Sequence, residues 1–161
     1  MCAQLTDIYL LPGEHAAGDA HCRIRTLLGS CVSITLWHPV LHVGAMSHFV
    51  LPGASPHPEL GLNGRYGEDA LALMMQDLLR LGAAAADCQA KLFGGGAMFE
   101  PGRLHNDVGR KNGEAARGML MAHGIKVVSE SLFDACHRQI IFRISNGDVW
   151  VRQGRHVEHS S

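Results

Sequence analysis

The sequence predicts a single α/β domain built as a layered sandwich, with mixed, mostly antiparallel sheets and two main helices. Three observations predict it. Short runs of alternating apolar and small polar residues recur along the whole chain, as half-buried strands require. Only two stretches space their apolar residues for a helix. Pro-Gly, triple-Gly and Asn-Gly breaks separate the runs at short intervals. A chain of 161 residues is the length of one domain. Such a domain buries roughly two thirds of its unfolded surface. We expect the domain to fill residues 1–152 and a polar, flexible tail to occupy 153–161.

In chain order, residues 7–11 read as a short strand stopped by Pro12-Gly13, and Gly18-Asp19-Ala20 as a turn. Residues 23–28 form a second strand ending at Gly29. Residues 31–37 (Cys-Val-Ser-Ile-Thr-Leu-Trp) alternate apolar and small polar side chains with β-branched enrichment, the clearest strand pattern present. Residues 43–51 form another strand, stopped by Pro52-Gly53. The Pro-, Gly-, Ser- and Asn-rich stretch 53–67 is a long loop, a kind often used for function. Residues 68–81 place Ala70, Leu71, Met74, Leu78 and Leu81 on one helical face, with Gly82 as terminator. Residues 88–93 read as a buried strand broken by Gly94-Gly95-Gly96. Residues 112–123 form the second helix, preceded by a short basic turn at Gly109-Arg110-Lys111-Asn112 and capped by Gly124. Strands at 125–128, 138–144 and 148–152 complete the chain, the last two joined through Asn146-Gly147, a strong hairpin signal.

Composition excludes several function classes. A net charge of -1 gives no bulk electrostatic reason to bind nucleic acid. No apolar run reaches the roughly 18 residues of a membrane span. The N-terminus lacks the basic-then-apolar pattern of a signal peptide. Five cysteines, an odd number with no C-x-x-C pair, fit a reducing cytoplasm better than a disulfide framework. The eleven histidines include no H-E-x-x-H and no Cys/His finger spacing, so neither a metal nor a cofactor is expected.

The chemistry centres on Leu28-Gly29-Ser30-Cys31-Val32. A thiol attacks as thiolate, and at its free pKa of about 8.5 it is only slightly ionised near neutrality. Cys31 therefore needs a base, and His48 stands on the next predicted strand. If residues 31–37 and 43–51 pair as a simple hairpin around 38–42, Cys31 and His48 share one cross-strand pair. Gly29 permits a sharp turn, and amides near Ser30 and Cys31 then point at one spot, as an oxyanion hole requires. Thr26 is the candidate to orient the imidazole, through its hydroxyl or its backbone carbonyl. The bland alternatives are a buried strand cysteine, a structural histidine and a β-branched strand residue. Gly94-Gly95-Gly96 lacks any phosphate-loop context and fits a close backbone crossing beside the site.

The motifs Thr26-Leu27-Leu28-Gly29-Ser30-Cys31-Val32, Gly44-Ala45-Met46-Ser47-His48 with Leu51-Pro52, Lys91-Leu92-Phe93-Gly94-Gly95-Gly96-Ala97-Met98-Phe99 and Val108-Gly109-Arg110-Lys111-Asn112 occur in this order. Together they resemble the CheD family of chemoreceptor glutamine deamidases, over nearly the whole chain. The resemblance implies a three-layer α/β sandwich shared with toxin deamidases. It implies Cys31 as nucleophile, His48 as base and Thr26 as third member. It further implies a protein-glutamine glutaminase acting on methyl-accepting chemotaxis receptors through a Cys thioester, with a secondary glutamyl methylesterase activity. In some bacteria the regulatory partner is a CheC-type phosphatase. The alternatives weighed against it are another Cys-His hydrolase and a non-catalytic module that docks on receptors or a phosphatase.

Overall fold

The computed structural model describes residues 4–98 and 107–155. Nine strands and two α-helices are arranged in three layers among these residues. The strands are β1 (Thr6–Tyr9), β2 (His15–Gly18), β3 (Cys22–Leu28), β4 (Val32–Trp37), β5 (Gly44–Ser47), β6 (Gln89–Gly94), β7 (Lys126–Leu132), β8 (Cys136–Arg143) and β9 (Val149–Arg155). The helices are α1 (Gly67–Arg80) and α2 (Val108–Ala122). One sheet has the order β1-β3-β8-β9 and the other β2-β5-β4-β6-β7. Only β1 with β3 and β6 with β7 run parallel. The mixed, mostly antiparallel sandwich with two helices is therefore as the sequence predicts.

Side-chain alternation decides which layer each residue enters. On β4, Val32, Ile34 and Leu36 join the cluster under the helices, with Ala70, Leu71, Met74, Leu78, Ala116 and Leu120. The other face of β4 looks into the space between the sheets. There Ile24 and Leu28 of β3 and Ile140 and Phe142 of β8 pack against Met46 and Phe93. The five-stranded sheet is thus covered on both faces, which explains its near-complete burial along β4 and β5, the polar Ser33, Thr35 and Ser47 included.

Several details depart from the expectation. The strand β2 occupies a stretch read as connection. His15-Ala16-Ala17-Gly18 has little strand propensity, and its pairing with β5 supplies the structure. The segment expected as one strand over 43–51 is regular only at Gly44–Ser47, followed by single bridges from Phe49 to Val32 and from Leu51 to Tyr66. Helix α2 starts at Val108 because the Asp107 carboxylate accepts the Arg110 N–H at 2.9 Å, so the expected basic turn is its first turn. Strand β9 runs on to Arg155, past the expected end at 152. The rest of the expected tail, 156–161, lies outside the described residues, as do Cys2, Phe99 of the glycine motif, His105, His156 and His159. No helix among the described residues is long and apolar enough to cross a membrane.

Candidate active site

Thr26, Cys31 and His48 all enter the layer between the sheets. Thr26 alternates with Ile24 and Leu28 on the inward face of β3 and is fully buried. His48 follows Met46 on the same side of its segment and is only 3% exposed. Cys31, directly before β4, packs against the inter-sheet cluster and stays partly exposed. The hairpin register differs by two residues from one that pairs Cys31 with His48. Thr35 faces Met46 and Val32 faces Phe49. Cys31 and His48 therefore do not share a pair: they sit on neighbouring rungs of one face. Such diagonal neighbours have Cα atoms ~7–8 Å apart, and the side-chain hydrogen bond that His48 makes is to Thr26. The register continues into the turn, where the His38 N–H donates to the Val43 carbonyl at 2.9 Å and His42 takes a positive φ of 53° and stacks on Trp37.

The Thr26 hydroxyl donates to the Leu10 carbonyl at 2.8 Å. Its oxygen lies 2.7 Å from His48 Nδ1. With its one proton directed at Leu10, the hydroxyl can only accept from the ring, so Nδ1 carries the hydrogen and Nε2 the free lone pair. Of the two routes left open by the sequence, the contact is through the hydroxyl. The His48 backbone is pinned as well: its N–H donates to the Glu14 carbonyl at 3.0 Å and its carbonyl accepts from Gly13 at 2.8 Å.

The Cys31 loop is held by three successive carbonyls. Gly29 O accepts from Gly96 N–H at 2.9 Å, and Cys31 O accepts from Gly95 N–H at 3.0 Å. Ser30 O accepts from the side-chain amide of Asn112 at 3.1 Å. The triple glycine thus makes the close backbone crossing expected of it. Gly94 has φ of 105°, and a Cβ there would overlap the Cys31 carbonyl. Gly109, at the start of α2, meets the Gly95 and Gly96 carbonyls so closely that no side chain fits. Buried Arg138 braces the crossing from the other side, donating to the carbonyls of Gly94 at 3.2 Å and Phe133 at 2.6 Å.

Burial shapes the ionisation of the pair. It pushes the Cys31 thiol above its ordinary value, and the nearby Arg65 guanidinium opposes the shift. Burial also lowers His48 to about 4. Near neutrality the resting site holds a thiol and a neutral imidazole, which suits His48 to accept a proton during reaction.

Two residues at this site were not singled out from sequence. Asn112 reads as part of a solvated helix start, yet it is fully buried. Arg65 sits in the long loop, where charge usually means solvent. A lone Asn buried by a helix–loop contact leaves no periodic trace. Three of the other described histidines have local partners: His15 pairs with Asp77 at 3.2 Å, His57 with Glu59 at 3.2 Å, and His38 Nδ1 accepts from the Leu41 amide at 3.1 Å.

Residues 50–153 match the family model described as CheD chemotactic sensory transduction. A protein of Albidiferax ferrireducens named Probable chemoreceptor glutamine deamidase CheD 2 is 59% identical over 152 residues, covering 91% of this chain and 87% of its own. A CheD 1 of Chromobacterium violaceum, named in the same words, is 41% identical over 94% of this chain and 79% of its own. A CheD 1 of Leptospira interrogans, likewise named, is 38% identical over 94% and 95%.

Proposed function

Because this chain belongs to the CheD family, we propose that it is a chemoreceptor glutamine deamidase with Cys31 as nucleophile, His48 as general base and acid, and Thr26 as the group that orients the imidazole. The observation that carries the reading is the directional chain from His48 Nδ1–H through Thr26 Oγ1 to the Leu10 carbonyl. A structural histidine needs no such fixed tautomer on the layer that also holds a partly exposed cysteine.

The chemistry follows from the groups in place. His48 Nε2 removes the Cys31 proton as sulfur attacks the side-chain amide carbon of a receptor glutamine. The carbonyl oxygen becomes an oxyanion, met by the Ser30 and Cys31 amides with Gly29 shaping the turn. The imidazolium returns its proton to the leaving nitrogen, and ammonia departs from a thioester. A water molecule, deprotonated by His48, attacks the thioester carbon. The thiolate leaves and is reprotonated by His48, and glutamate is released. The same thioester forms from a glutamyl methyl ester with methanol as leaving group, so methylesterase activity is a secondary expectation. The substrate is the cytoplasmic part of a methyl-accepting receptor, which places the protein in the cytoplasm, with a CheC-type phosphatase as regulatory partner. Neither metal nor cofactor enters any step.

Incubation with a receptor cytoplasmic fragment tests the reading. Ammonia release with conversion of individual glutamines supports it. Backbone cleavage of the fragment supports a Cys-His peptidase instead. Binding with no chemistry supports a docking module.

A further inference from the structure

Asn112 is fully buried on α2. Its Nδ2 donates to two carbonyls, Ser30 O at 3.1 Å and Val50 O at 2.8 Å. These belong to the two segments that carry Cys31 and His48. Both N–H bonds of the amide are used, and because both neighbours are acceptors the amide has only one orientation. Its Oδ1 is buried with no hydrogen-bond partner among the described residues. An unpaired buried oxygen opposes folding. An apolar residue of similar volume would avoid that cost on Oδ1 but would supply no donor to either carbonyl. The donors are therefore what the position supplies.

Their effect passes through the peptide plane. No described peptide bond is cis, and in a trans peptide the N–H of one residue points opposite to the carbonyl before it. The adjacent peptide displays this: Cys31 O faces the Gly95 N–H just past β6, while Val32 N–H faces Phe49 O on the other side. By the same rule, a Ser30 carbonyl held by Asn112 aims the Cys31 N–H away from Asn112. A Gly29 carbonyl held by Gly96 aims the Ser30 N–H away from Gly96.

We propose that Asn112 is a positioning residue for the reaction: by holding the Ser30–Cys31 peptide plane, it keeps the Cys31 N–H aimed at the oxyanion formed from the substrate amide. The inference rests on the deamidase reading above. Asn112 itself touches no reacting atom. A residue serving only as a strap between α2 and the loop would affect stability, thiol reactivity and turnover together. A residue that aims an oxyanion donor affects only steps that build an oxyanion.

The test compares the full-length wild type with Cys31→Ala, Asn112→Ala and Asn112→Ser. Ammonia release from a receptor cytoplasmic fragment gives kcat and KM. Alkylation of Cys31 by iodoacetamide across pH, read on the Cys31 peptide by mass, reports the thiol, since displacement at carbon forms no oxyanion. Asn112→Ala is expected to lower kcat tenfold or more, on the order of a weakened oxyanion donor. KM should stay within about twofold, with the alkylation profile unmoved. Asn112→Ser, which keeps one donor, should recover part of kcat. A folded Asn112→Ala with wild-type kcat overturns the proposal, and so does a parallel fall in kcat and alkylation. Where Asn112→Ala does not fold, Asn112→Ser carries the same comparison: a kcat loss at constant alkylation supports the proposal, and wild-type kcat overturns it. A wild type that releases no ammonia, or a Cys31→Ala variant as active as wild type, defeats the deamidase reading itself, whatever Asn112 does.

Discussion

The Thr26 hydroxyl stands between the Leu10 carbonyl and His48 Nδ1, 2.8 Å from one and 2.7 Å from the other. Its direction makes Thr26 an acceptor for the ring. Thr26→Val keeps the shape and removes the acceptor, leaving a buried N–H unpaired. We expect kcat to fall by about 10- to 100-fold, comparable to other losses of an imidazole-orienting partner. Stability should fall by about 1–3 kcal/mol. Thr26→Ser should retain most of both. Nitrogen chemical shifts of the His48 ring check the cause: Nδ1 protonated in wild type, a mixture of tautomers in Thr26→Val.

His48 makes stability pH-dependent with a definite sign. Its folded value, near 4, lies below the unfolded value near 6.5. Above pH 6.5 both states are neutral and the full stability is present. As pH falls, the unfolded chain takes up the proton first, and stability is lost progressively until pH passes the folded value. The loss is about 3 kcal/mol. Urea denaturation between pH 7 and pH 4 should show it for wild type, and His48→Gln should flatten that part of the profile. The acid limb of activity should lie below the usual histidine range.

Arg65 acts on Cys31 through space and from an exposed position. Arg65→Ala should move the pH midpoint of Cys31 alkylation upward, because the cation favours the thiolate. High salt should shrink the difference between wild type and variant, since charges reaching solvent are screened within about 10 Å at 0.1 M. An unchanged midpoint would remove Arg65 from the account.

The crossing of Gly94 over the Cys31 carbonyl is the most demanding backbone feature beside the site. Gly94→Ala places a side chain at φ of 105° and against that carbonyl. We expect a loss of about 2 kcal/mol or more in stability. Activity should fall as well, because Gly95 N–H can no longer reach Cys31 O without rearrangement. Urea denaturation and ammonia release measure the two effects.

Much of this fold is legible along the chain because burial writes itself into periodicity. β4 alternates so cleanly that its two faces can be assigned to two layers, and α1 shows its inner face at Ala70, Leu71, Met74 and Leu78. Strand β2 is not legible. His15-Ala16-Ala17-Gly18 is a strand only because β5 offers it hydrogen bonds, an effect of tertiary context. The hairpin register is off by two residues for a similar reason: the turn between His38 and Val43 fixes it, and no residue pattern marks the positive φ at His42. Of the proposed site, Cys31 and His48 are the residues that type and setting single out in the sequence. Thr26 is readable as a neighbour, but its hydroxyl route depends on where Leu10 O falls. Asn112 and Arg65 matter through contacts between segments far apart in sequence, which one sequence does not display.

The most direct test of the central claim is peptide mass analysis of a receptor cytoplasmic fragment after incubation with wild type and with Cys31→Ala. The account predicts that wild type converts individual glutamines to glutamates with matching ammonia release, and that Cys31→Ala leaves every glutamine intact. Equal conversion by both proteins would contradict it.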